Sequence, residues 1–108
     1  MALSEQEFRI KSDEALQQAR RALVSLADDD AGFEPELQNG VLNLVFEEPS
    51  ETKFVVSPNA PVRQIWVSAM GKSYKLAWSP EQSVFAFSGE TLVQLLDRLT
   101  RTFLGRSG

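Results

Sequence analysis

Apolar residues change their spacing twice along this chain, from helical to alternating and back to helical. That order admits few folds. Between Ser4 and about Leu26, the residues Phe8, Ala15, Leu16, Ala19, Leu23 and Leu26 recur with helical period and form one stripe. Glu14, Gln17, Arg21 and Asp28 fall on the opposite face. Ser4-Glu5-Gln6-Glu7 has the form of a capping box, in which the Ser4 hydroxyl and the Glu7 carboxylate each accept the other's backbone amide. From Phe33 to Phe87 the period is two, the signature of half-buried strands. Beyond Ser88, a stripe of Leu92, Leu95, Leu96, Leu99 and Phe103 restores the helical spacing. Ser88 is the expected N-cap, Glu90 suits the first turn, and Gly105 suits the residue after the helix.

Turn residues divide the middle region. Asn39-Gly40 is a strong hairpin signal because both residues tolerate positive φ. It joins expected strands at Phe33–Leu37 and Val41–Glu47. Thr52–Ser57, Arg63–Ala69, Ser73–Trp78 and Ser83–Phe87 follow. The proline-bearing Ser57-Pro58-Asn59-Ala60-Pro61 is expected as a loop, and Gly71 and Ser79-Pro80 mark later turns. An antiparallel sheet needs one covered face, and two amphipathic helices can supply it. The expected fold is α+β: a two-layer sandwich with two terminal helices on one face of an antiparallel sheet of five to six strands. With 108 residues and no internal repeat or linker, 1–108 is expected to be a single domain.

The chain has neither cysteine nor histidine. This excludes a disulfide, a thiolate nucleophile, a Ser-His-Asp triad and a Cys/His zinc site. Any metal must accept oxygen ligands, which favours harder cations. Only carboxylates, Lys and Tyr remain for acid–base work, so an enzyme is not expected. No apolar run reaches the roughly 20 residues of a membrane-spanning helix. The N-terminal stretch lacks an apolar signal core, so a cytoplasmic location is expected. Residues 1–38 hold nine acids and four bases, a charge of −5; residues 39–108 hold six acids and seven bases, +1. No basic stripe suits nucleic acid, and the negative end would attract cations or a basic partner.

Two constellations stand out. Asp28, Asp29, Asp30, Glu34 and Glu36 lie within nine residues with no base among them. Three of these acids oppose the negative end of the helix dipole, and crowded carboxylates repel unless a cation or basic surface relieves them. The cluster reads as a cation site, as a docking site for a basic partner, or as a solvated acidic turn. Asp13 and Glu14 are second-rank ligands, with helix solubility as their plainer role. The other constellation is Gln64-Ile65-Trp66-Val67-Ser68-Ala69. Alternation sends Ile65, Val67 and Ala69 to the helix side and Gln64, Trp66 and Ser68 to the open side. An exposed tryptophan there is an interface anchor, and Arg63 and Asn43 are expected nearby. A shifted register would make Trp66 core instead.

Three stretches together resemble the frataxin family. They are Glu36-Leu37-Gln38-Asn39-Gly40-Val41-Leu42-Asn43-Leu44-Val45-Phe46-Glu47, Pro61-Val62-Arg63-Gln64-Ile65-Trp66-Val67-Ser68, and Ser88-Gly89-Glu90-Thr91-Leu92-Val93-Gln94-Leu95-Leu96. The resemblance implies weak iron binding, ferrous or ferric, through surface carboxylates. It also implies docking on the cysteine desulfurase and the scaffold protein that build iron–sulfur clusters, as a regulator or iron donor. A monomer in the absence of iron is expected, without nucleic-acid or membrane partners. Two departures are visible. Arg20-Arg21-Ala22-Leu23-Val24-Ser25 stands where family members carry acids, and Ser57-Pro58 stands where an Asn and a basic or polar residue are common. The alternatives are an iron-independent docking module and, ranked below it, a ferroxidase-like iron-oxidising or storage protein.

Overall fold

The computed structural model describes residues 3–29, 33–47 and 51–105, the last four of the first stretch as backbone only. Helix α1 spans Glu5–Asp29. Its start is the expected capping box: the Glu7 amide donates to Ser4 Oγ at 3.1 Å, and the Ser4 amide donates to Glu7 Oε1 at 3.0 Å. The bonds to Ser4 hold the Glu7 carboxyl below its ordinary pKa. Phe8, Leu16, Ala19 and Leu23 are buried, as their spacing requires. Ser12 shares the stripe; its hydroxyl donates to the Arg9 carbonyl at 3.3 Å, which satisfies it inside the helix.

Seven strands follow: β1 (Phe33–Gln38), β2 (Val41–Phe46), β3 (Thr52–Asn59), β4 (Gln64–Ala69), β5 (Lys72–Ser79), β6 (Val84–Phe87) and β7 (Glu90–Thr91). They lie in chain order and every neighbouring pair is antiparallel, a plain meander. Helix α2 spans Leu92–Phe103. Both helices cover one face of the sheet. Between the layers lie Leu42, Leu44, Phe46, Phe54, Val56, Ile65, Val67, Leu76 and Phe85 from the strands, and Leu92, Leu95, Leu96 and Leu99 from α2. The sandwich is therefore as expected, with one correction: the sheet has seven strands, not five or six.

The seventh strand comes from a turn at Ser88-Gly89. Ser88 has φ +49° and Gly89 φ +85°, the left-handed pair of a two-residue hairpin, and Phe87 pairs with Glu90. An N-cap needs extended φ, so Ser88 cannot cap the helix. Thr91 does so instead, at φ −73°, accepting the Gln94 amide while Gln94 Oε1 accepts the Thr91 amide. The expected loop at 57–61 is also shorter. β3 continues to Asn59, and a 3-10 turn at Ala60–Val62 leads into β4.

Candidate functional site

The face of the sheet away from the helices carries the candidate docking residues. Along β4, Ile65, Val67 and Ala69 are buried, while Trp66 and Ser68 are exposed and Gln64 is half-buried. The alternation thus sets Trp66 on the bare face with 36% of its surface exposed. Its neighbours across the strands are Ser57 on β3 and Lys75 on β5. Trp66 Nε1 donates to Gln64 Oε1 at 2.9 Å, and Lys75 Nζ lies 4.9 Å from the centre of its ring. One contact holds the edge of the indole and the other covers a face. Asn43 sits half-buried in the adjacent row of the same face, opposite Glu36 and Val55.

Arg63 has φ +54° and closes the 3-10 turn. Its guanidinium donates to the carbonyl of Leu3 at 3.2 Å and to that of Ala60. The side chain therefore ties the start of the chain to the entrance of β4.

The described candidate carboxylates, Glu34, Glu36, Asp13 and Glu14, lie on three surfaces. On β1, Phe33 and Pro35 are buried and Glu34 and Glu36 are exposed, so both acids share one face of an edge strand. An open groove of about 570 Å³ runs between β1 and α1, lined by Glu34, Glu36, Gln17, Arg20 and Arg21. The Arg20 and Arg21 departure thus stands directly beside the acids of β1. Asp13 accepts from Gln17 Nε2 at 2.8 Å and faces the hairpin end near Gly40 and Pro58. Glu14 lies 3.7 Å from Lys11 Nζ, on the other flank of α1 with Trp78 and Ser83. Among the described residues, no three carboxylates gather closely enough to hold one ion. Asp28 and Asp29 are the last residues of α1, but their side chains, and Asp30 entirely, lie outside the described residues.

The frataxin-like domain family matches residues 1–106, nearly the whole chain. The chain belongs to the frataxin family. It is similar to the iron-sulfur cluster assembly protein CyaY of Pseudomonas syringae pv. syringae (strain B728a), with 33% identity over 76 residues, 67% of each chain. The protein of the same name from Cupriavidus metallidurans (strain CH34) is 38% identical over 68 residues, 62% of this chain and 60% of its own. A solved frataxin from Psychromonas ingrahamii superposes with a TM-score of 0.69 at 15% identity, covering 97% of this chain and 95% of that one. That likeness shows the frataxin fold.

One neighbour of Trp66 on the bare face escaped the sequence reading. Lys75 looks like an ordinary exposed lysine until the register is known. The signal was present: a two-residue turn at Met70-Gly71 pairs Ala69 with Lys72, and counting back along both strands pairs Trp66 with Lys75. Trp78, Tyr74, Phe85 and Phe87 lie on the helix side. Phe85 is buried and the other three pack half-buried against the core. No helix among the described residues is long and apolar enough to cross a membrane.

Proposed function

We propose that this chain serves iron–sulfur cluster assembly without chemistry of its own. It docks through the bare face of the sheet onto the cysteine desulfurase and its scaffold, and takes iron as cargo on carboxylates at the end of α1 and on β1. The observation that carries the reading is Trp66, a large aromatic side chain held in place on the bare face of the sheet. Burying such a ring against a partner supplies much area at little entropic cost, because its orientation is already set. Membership of a family whose relatives are named for cluster assembly supports the same conclusion. The iron-bearing groups are Asp28, Asp29, Asp30, Glu34 and Glu36, with Asp13 and Glu14 secondary. All-oxygen donors bind iron weakly and with poor selectivity, which suits a cargo that must leave.

Trp66→Ala should abolish binding to the desulfurase–scaffold complex while leaving the thermal midpoint unchanged. Wild-type affinity in that variant would remove the docking face. For iron, ferrous ion is titrated anaerobically while backbone amide NMR signals are followed. Broadening confined to residues 28–36 supports the cargo site. A second reading is favoured by Arg20 and Arg21, whose guanidinium groups raise the potential beside Glu34 and Glu36 and oppose a cation there. On that reading the chain docks independently of iron, and uniform or absent broadening would select it.

A further inference from the structure

We propose that Pro35 is an edge guard: it keeps the outer edge of β1 from pairing with β1 of a second copy of this chain. In the order of the sheet, β1 and β7 are the end strands. β7 is two residues long and the chain passes straight from it into α2, so it offers almost nothing to pair with. β1 has six residues, and among the described residues only β2 pairs with it. An open groove of about 570 Å³ flanks it on the α1 side, so a further strand has room to approach. Unpaired N–H and C=O groups along such an edge are a template for another chain.

The register decides which backbone groups face out. Asn39 and Gly40, at φ +52° and +76°, form a two-residue turn, and the residues flanking such a turn, Gln38 and Val41, are a hydrogen-bonded pair. Counting back by twos, Glu36 and Glu34 also aim their backbone groups at β2, while Leu37, Pro35 and Phe33 aim theirs outward. Pro35 has no N–H, so the middle of the outer row lacks its donor and β2 loses no bond. The Pro35 side chain is buried, at a position where a β-branched residue would serve the core as well; what proline adds is the closed edge. Two copies of β1 that overlap along their length run antiparallel with Pro35 opposite Pro35, where both donors are missing and the two rings meet. The same alignment sets the exposed Glu34 of each copy opposite Glu36 of the other, and like charges facing across a strand pair repel.

The test compares the full chain in metal-free buffer with Pro35→Val and Pro35→Ala, each of which restores the missing N–H. Both variants are measured below their thermal midpoints. Sedimentation equilibrium over a concentration series gives the mass, and hydrogen exchange followed by NMR reads the outward amide of Leu37. Wild type should remain a monomer throughout. Pro35→Val should show a monomer–dimer equilibrium that tightens at high salt, where the repulsion between Glu34 and Glu36 is screened. Exchange at Leu37 in the concentrated variant should slow roughly tenfold or more, because its N–H is then paired. Pro35→Ala, with a lower strand preference, should dimerise in the same way but more weakly. Adding Glu36→Lys to Pro35→Val makes the facing pairs attractive and should tighten the dimer at low salt. Monomeric behaviour of both Pro35→Val and Pro35→Ala overturns the guard. So does self-association of either variant that leaves Leu37 exchange unchanged, which places the contact elsewhere, and so does a wild-type dimer that protects Leu37. None of these results touches the docking face.

Discussion

Thr100 carries the one fully buried side-chain oxygen that lacks a hydrogen-bond partner among the described residues. A buried hydroxyl left unpaired forfeits its hydration without return, and Thr100→Val removes the hydroxyl at nearly constant shape. The variant should gain about 1 kcal/mol, seen as a rise of several degrees in the thermal midpoint. A second residue-scale prediction concerns Glu90 and Arg98. Arg98 Nε and Nη2 donate to the two Glu90 oxygens at 2.8 and 2.7 Å, joining β7 to α2. Those bonds hold the Glu90 carboxyl below its ordinary pKa of 4.5. A lowered folded pKa stabilises the protein above the unfolded value, and the contribution disappears as pH falls through the folded one. Arg98→Ala should therefore lower stability at neutral pH, by less than about 1 kcal/mol for so exposed a pair, and match wild type in strong acid. Urea unfolding at both pH values checks it. Neither feature was legible in the sequence. The pair spans a strand-to-helix junction rather than the three or four residues of a helix turn, and Thr100 looks like any helix threonine until packing buries it.

At the scale of elements, three hairpins turn on the same backbone device. Asn39-Gly40, Met70-Gly71 and Ser88-Gly89 each place two successive residues at positive φ. Asparagine tolerates that region and methionine does not, so only the first turn is matched at both positions. Met70→Asn should relieve part of the left-handed penalty and raise stability by up to about 1 kcal/mol in urea titration. Side-chain loss is not a concern, because Met70 is an exposed turn residue. Asn39-Gly40 was legible at once for the reason that makes Met70→Asn stabilising. Ser88-Gly89 was not, because serine before a leucine stripe also describes a helix N-cap, and a two-residue strand leaves no period to detect. The long strands carried their own information. Alternation along β4 was enough to put Trp66 outside and Ile65 inside, whereas Lys75 needed the register between strands.

Across the whole molecule, the two faces of one sheet separate what holds the chain together from the surface proposed for a partner. Phe46 shows the inner side. Its ring centre lies 5.2 Å from Phe33, 4.6 Å from Phe54 and 4.7 Å from Phe103, so one side chain joins β1, β2, β3 and the end of α2. The charge pattern made the stretch around residues 28–36 look like the functional centre. Of the carboxylates described, Glu34 and Glu36 share one face of β1, while Asp13 and Glu14 lie on opposite flanks of α1. The hydrophobic pattern travels better, since burial is decided by the summed preference of many residues. Removing the Phe46 ring should cost about 3–5 kcal/mol, the usual loss for a large buried aromatic. A domain of this size holds only about 5–15 kcal/mol in total, so Phe46→Ala should be partly unfolded at room temperature or melt far below wild type. Trp66→Ala, on the opposite face, should melt with wild type. Calorimetry of the two variants side by side distinguishes this division of labour from a continuous core: a large loss in Trp66→Ala would mean that the indole supports the fold and that the outer face is not free for a partner.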